Sequence, residues 1–393
     1  MLKQIFHSTT EQDNRNAGID MLRGFSILSV ILLHCLIHMP LKTQFLPTTL
    51  NNIIFRSGYY GVITFFVISG FLITHICLKR WGNLENINIG QFYRIRFARI
   101  MPCLILLLIV SSILDLLHVN GFVIHTTSLS EVIFSALTFH INYLRVKTGF
   151  LPGGLDVLWT LSIEEVFYVF FPIICLFVRN RLHFTLLMFT FIVIAPFSNM
   201  WTNNPMWSEY YYFSNFDGIA VGCLCALISN RFQFNSKKLR LILFSGVLLS
   251  SLILFFRHFV YEMSLTKIGV NTTILEIGIG FMLIAMQQRN AIGTFWTAPL
   301  RWFGRNSYEV YLTHGFFIVL FSLSLFNKAE SDMYVLLLYA LTVILSGVMG
   351  QLISSYFSEP MNRFLRKNKV NANGNAVLSD REAQASTNSI ISS

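Results

Sequence analysis

The chain has 393 residues, 54% of them hydrophobic and only 12% charged, with a mean hydropathy of +0.59. Apolar runs of membrane-spanning length recur from end to end, which excludes an ordinary soluble domain and points to a polytopic membrane protein in a lipid bilayer. The net charge of +10 would suggest nucleic acid in a soluble chain. Here Lys and Arg gather in short segments between apolar runs, the signature of cytoplasmic loops, so no nucleic-acid partner is expected.

In chain order, residues 1–20 are polar and are expected to form a cytoplasmic segment. The run MLRGFSILSVILLHCLIH (21–38) ends in His and Pro rather than at a small-residue cleavage site, and reads as a retained first span, not a signal peptide. Arg23 and His34 are eleven residues apart, which on a helix returns to the same face about 16 Å further along the axis; His38 is one turn beyond. Ionisable groups at membrane depth usually face a cavity or a partner, so each is a site candidate. Simpler readings stay open: Arg23 as a flanking charge, His34 as an interhelical hydrogen-bonding group. A zinc site would need a third ligand beside the His-x-x-x-His pair, and no metal is expected.

The second run, GYYGVITFFVISGFLIT, carries Gly61, Ser69 and Gly70, small residues that suit close helix packing. Ser69 lacks the strand-turn-helix context of a serine nucleophile. In FYRIRFARIMP, Arg94, Arg96 and Arg99 precede the third span. Three arginines there suit topology signalling, lipid headgroups or an anionic ligand such as nucleotide phosphates. Residues 131–143 are apolar but short and carry Glu131, His140 and Asn142, so an interfacial or re-entrant segment is expected. Counting it as a span would move Arg179 and Arg181 to the outer side and spoil the charge asymmetry.

Next comes LWTLSIEEVFYVFFP, with adjacent carboxylates Glu164 and Glu165 in the first turns of a span and Tyr168 one turn after Glu164. A helix N-terminus stabilises a carboxylate, so capping is the plain alternative to a site role. Asp217 opens the sixth span in NFDGIAVG, and His314 lies in SYEVYLTHGF behind Tyr308 and Tyr311; a capping role and core packing would suffice for these two. All six cysteines fall in apolar segments without disulfide or metal spacing. Residues 370–393 are expected to be a disordered cytoplasmic tail. The fold class is therefore all-α, a polytopic transmembrane helical bundle over residues 21–369 with both termini cytoplasmic. Its spans are expected at 25–40, 60–78, 101–118, 158–178, 182–198, 216–230, 241–256, 271–287, 306–326 and 334–357.

Taken in order, these stretches resemble the acyltransferase-3 family of integral membrane O-acyltransferases. Its Arg-x10-His signature matches Arg23 and His34, and its Gly-Val-x-x-Phe-Phe-x-x-Ser-Gly-Phe block matches Gly61, Val62, Phe65, Phe66, Ser69, Gly70 and Phe71. The arginine element is similar to Arg94, Arg96, Arg99 and Pro102, and the tryptophan-serine-glutamate element to Trp159, Leu161, Ser162, Glu164, Glu165, Phe167 and Tyr168. The late element matches Ser307, Tyr308, Tyr311, Leu312 and His314; the closing Glu-x-Pro pattern is present only as Glu359 and Pro360. Val166 stands where the family commonly has glutamine. The resemblance covers residues 17–367.

The resemblance implies transfer of an acyl group, commonly acetyl, from cytoplasmic acyl-CoA to a hydroxyl of a glycan such as lipopolysaccharide O-antigen or exopolysaccharide, at a bacterial inner membrane. It implies catalytic roles for His34, Glu164 and Arg23, with Arg23, Arg94, Arg96 and Arg99 on the phosphates of acyl-CoA as cosubstrate and no permanently bound cofactor. Glu165, Tyr168, Asp217 and His314 are the expected acceptor-side residues. A proton-coupled transporter or flippase is the competing expectation; the internal repeats common in transporters are not found. Oligomeric state is not legible in the sequence.

Overall fold

The computed structural model describes residues 15–178, 180–198, 210–257, 269–290 and 292–366. The expected tail 370–393 and most of the expected segment 1–20 lie outside them. Apolar sequence that cannot bond water must satisfy its backbone internally, and the described residues do so with helices alone, no strand among them.

The helices run α1 (Ala17–His38), α2 (Thr48–Phe55), α3 (Gly58–Trp81), α4 (Ile89–Leu116), α5 (Leu129–Leu137), α6 (Ile141–Thr148), α7 (Leu158–Phe177), α8 (Arg181–Ser198), α9 (Phe216–Arg231), α10 (Ser236–Phe255), α11 (Val270–Arg289), α12 (Ala298–Arg305), α13 (Ser307–Ser324), α14 (Asp332–Ile353) and, after a π-helical stretch at 354–358, α15 (Glu359–Arg366). Each of the ten expected spans coincides with one of these. Among the described residues eight helices are long and apolar enough to cross a membrane; α8 and α9 are the shorter pair. Residues 131–143 fall on α5 and α6, both too short to span, as expected of a re-entrant segment.

Two boundaries differ from expectation in a way that matters. Helix α1 starts at Ala17, where the Asn16 side chain accepts the Gly18 and Ile19 N–H groups, so Arg23 lies in its second turn. Helix α4 starts at Ile89 behind an Asn88 cap, so Arg94, Arg96 and Arg99 lie within it, not ahead of it. Capping by asparagine decided both starts, overriding the polarity that had suggested a loop.

Helix α3 is the centre of the bundle. It packs against α1, α9 and α11, and its Phe66, Val67 and Phe71 are wholly buried. Glycine permits the α3–α9 approach: a Cβ on Gly70 would sit 1.9 Å from the Ile219 carbonyl oxygen, and one on Gly222 2.1 Å from that of Val67. One end of the bundle, the basic face, gathers Arg15 ahead of α1, Lys79 and Arg80 at the end of α3, and Arg366 at the end of α15.

Candidate active site

From the basic face a cavity of about 620 Å³ runs between α1, α3, α4, α7 and α13. Arg15, Lys79, Arg80 and Arg366 line it from helix ends; Arg23, Arg96 and Arg99 line it deeper; Glu164 and Tyr168 reach it from α7. Arg94 is exposed and does not line it, because it projects from another face of α4. The sequence therefore brings two of its three α4 arginines, not all three, to one site.

Each of the three deeper arginines has a defined partner. The Arg23 Nε–H donates to Ser307 Oγ at 3.1 Å, tying α1 to the first residue of α13. The Arg96 guanidinium lies 4.2 Å over the Tyr168 ring, and Tyr168 hydrogen-bonds Ser69. Glu164 also hydrogen-bonds Ser69 and feels the charges of Arg96 and Arg23. Arg99 pairs with Glu359 at 3.0 Å and with the fully buried Glu309 at 3.8 Å. The Glu-Pro pair near the end of the chain thus has a physical role, bracing the arginine helix from α15.

Beyond the deep end of this cavity stand the two imidazoles. His34 Nδ1 and His314 Nε2 are 2.8 Å apart, edge to edge with their rings 7° from parallel, and His314 Nδ1 lies 2.7 Å from the Tyr311 carbonyl oxygen. A carbonyl only accepts, so His314 Nδ1 carries a proton. In the neutral ring its Nε2 then has the lone pair, and His34 Nδ1–H must donate to it. The chain of bonds fixes the His34 tautomer and leaves His34 Nε2 unprotonated, the form a general base requires. Tyr311, tilted 5.7 Å from His314 and edge-on at 6.3 Å to Phe65, lines the cavity and separates it from the pair.

The remaining sequence candidates fall elsewhere. Glu165 is buried next to Glu164 without lining the cavity, and His38 is exposed at the end of α1. Asp217 is buried beside Glu276 of α11 and does not line the cavity. Glu276 escaped sequence reasoning although it is the lone acidic residue of its apolar run. Arg145 escaped it too: it is 4% exposed, ion-paired to Asp156, and its charge acts on His34. Among the described residues no group of three or more His, Cys, Asp or Glu is placed to hold a metal.

A multi-helix membrane bundle with an arginine-lined cavity that ends at Tyr311, behind which an oriented imidazole pair stands, is the class that this fold and site define. The family model described as "Acyltransferase domain" matches residues 16–351, and the chain belongs to that family. It is similar to O-acetyltransferase OatA of Staphylococcus aureus in strains NCTC 8325 / PS 47, COL and MRSA252, 24% identical over 371 residues in each case. The match covers 88% of this chain and 57% of those relatives, so the chain spans little more than half their length. No solved structure matches.

Proposed function

We propose that this protein is a membrane O-acyltransferase that takes an acyl group, acetyl, from acyl-CoA at the cytoplasmic basic face and passes it to a hydroxyl of a surface or lipid-linked glycan on the opposite face. The observation that carries the reading is the His34–His314 pair, oriented with a free Nε2 just past the end of a cationic cavity. Support also comes from the family and from the name of its staphylococcal relatives.

In this reading Arg15, Lys79, Arg80, Arg366 and Arg96 hold the phosphates of acyl-CoA by charge and fork geometry. Arg23, Glu164 and the Ser69–Tyr168 couple guide the thioester toward Tyr311, whose ring must swing aside to admit it. His34 Nε2 removes the proton of the acceptor hydroxyl as its oxygen attacks the thioester carbonyl carbon. The C–S bond then breaks and the departing thiolate takes a proton. His314 holds the His34 ring in place throughout and, through Nδ1–H to Tyr311, keeps its own lone pair available.

The test is mass spectrometry of surface glycans from cells expressing wild type, His34→Ala or no protein. A mass gain of one acetyl group with wild type alone is expected. Equal gain with His34→Ala at matched membrane levels would remove His34 from the chemistry, and no gain in any glycan with active turnover of acetyl-CoA would refute the glycan acceptor.

A further inference from the structure

The segment between α4 and α7, on the face opposite the basic one, holds a buried arginine that the proposed reaction does not yet use. Arg145 of α6 pairs with Asp156 Oδ2 at 2.7 Å and donates to the Asp156 carbonyl oxygen at 3.4 Å. Its guanidinium lies 3.8 Å over the Tyr210 ring and 5.0 Å from Phe150, and its buried Nε has no partner. A loop needing only to be locked is held as well or better by apolar contacts, because burying a guanidinium costs several kcal/mol in desolvation. The charge therefore calls for an explanation beyond anchoring.

The segment's path supplies one. Gly153 and Gly154 have φ of +63° and +81°, a left-handed turn that a Cβ would strain. The turn presses the loop onto α13 at Gly315, the residue next to His314: a Cβ on Gly315 would lie 2.6 Å from Gly154 Cα. The loop is thereby docked on the helix that carries half of the imidazole pair. The carbonyl oxygen of Val157, the residue after Asp156, accepts the Tyr311 hydroxyl at 3.2 Å, and the Tyr311 ring lies 5.7 Å from His314, so the Arg145–Asp156 pair sits one residue from the ring that covers the imidazoles. The charged or titratable groups around His34 are His314 and His38 from the bundle and Arg145 from this loop.

We propose that Arg145 is a positioning residue for the transfer step, a fixed positive charge on the acceptor side of the His34–His314 pair that excludes a second positive charge from it, with Asp156 limiting its reach. The inference rests on His34 acting as the base. It makes opposite demands on two neighbouring substitutions. Arg145→Gln leaves the Asp156 carboxylate facing the imidazoles and favours their protonation. Asp156→Asn uncovers the guanidinium and opposes it.

The test is thiol release from acetyl-CoA by the full-length protein in membrane vesicles of cells whose surface glycan it acetylates, which hold the acceptor, from about pH 5 to about pH 9, with wild type, His34→Ala, Arg145→Gln, Arg145→Lys and Asp156→Asn. The acid-side fall of the rate should move up by about half a pH unit or more in Arg145→Gln, stay near wild type in Arg145→Lys, and move down in Asp156→Asn. Loss of rate at every pH with the acid limb unmoved in both Arg145→Gln and Asp156→Asn would overturn the inference and leave the functional reading standing. If Arg145→Gln does not fold, Asp156→Asn decides alone, and an unmoved limb overturns the inference. Turnover by His34→Ala equal to wild type, or none by wild type, would instead overturn the functional reading itself.

Discussion

Replacing His314 separates orientation from chemistry at the imidazole pair. His314→Ala removes the acceptor of the His34 Nδ1–H, a 2.8 Å contact whose near-parallel rings hold the His34 imidazole in plane. A buried hydrogen bond left unmade costs about 1 to 3 kcal/mol, and expressed as lost alignment of the base this is about 5- to 150-fold in rate. Removing the base itself, in His34→Ala, should cost about 10²- to 10⁴-fold. His314→Gln should recover part of the alanine loss, because its amide oxygen can accept from Nδ1–H. The assay is glycan acetylation by mass spectrometry alongside thiol release from acetyl-CoA, normalised to correctly inserted protein by gel filtration. Full activity in His314→Ala would refute the orienting role, and a loss equal to that of His34→Ala would show that His314 handles the proton itself.

Other substitutions test the surrounding frame. Arg99→Ala strands the buried Glu309 carboxylate and should destabilise the fold by roughly 3 to 5 kcal/mol, read as a lowered thermal midpoint in detergent; Arg96→Ala, which loses a ring contact at the cavity wall, should instead raise the KM for acetyl-CoA about tenfold with little change in midpoint. Gly70→Ala would place a Cβ 1.9 Å from the Ile219 carbonyl oxygen, forcing α3 and α9 apart at a cost of about 3 kcal/mol or more, and an unchanged midpoint would contradict the packing described. Asp217→Asn keeps the side chain's shape and offers Glu276 an N–H donor, so acylation should stay within about threefold of wild type. A thirtyfold loss in folded protein would return Asp217 to the substrate site.

Hydropathy and charge asymmetry were enough to read all ten long helices from the sequence, because lipid imposes length and apolarity locally. Arg23 and His34 were also legible as one face of one helix. The partner of His34 was not, since 280 residues separate it from His314 and only tertiary packing brings them together. The start of α4 was misjudged because Arg94, Arg96 and Arg99 look like loop residues until Glu309 and Glu359 are seen to neutralise Arg99 inside the bundle. Arg145 was overlooked because loop arginines are ordinarily solvated; the two consecutive glycines at 153 and 154 were the available sign that this loop turns back into the protein. Glu276 follows the rule that a lone carboxylate in an apolar run has a partner, and applying that rule would have paired it with Asp217.

Two imidazoles within 2.8 Å, on helices far apart in sequence, require α1 and α13 to hold their mutual register to a fraction of an ångström. Helix α1 is fixed along its whole length. At the basic face the Asn16 amide donates to the Met286 carbonyl oxygen at 2.7 Å, and Gly24 meets α12 so closely that a Cβ would lie 2.0 Å from the Leu300 carbonyl oxygen. Beside Gly24, Arg23 bonds Ser307 at the start of α13, and just beyond it Gly61 of α3 abuts the Ser26 backbone. At the far end the buried Tyr339 hydroxyl donates to the Met39 carbonyl oxygen at 2.6 Å. Sliding α1 by one residue, about 1.5 Å, would break every one of these contacts at once. The Arg23–Ser307 bond sets the depth of His34 relative to His314 directly, since it joins the same two helices about 16 and 10 Å before the imidazoles, respectively. This is a physical reason for Arg23 and His34 to share one helix face: the arginine fixes the register in which the histidine meets its partner.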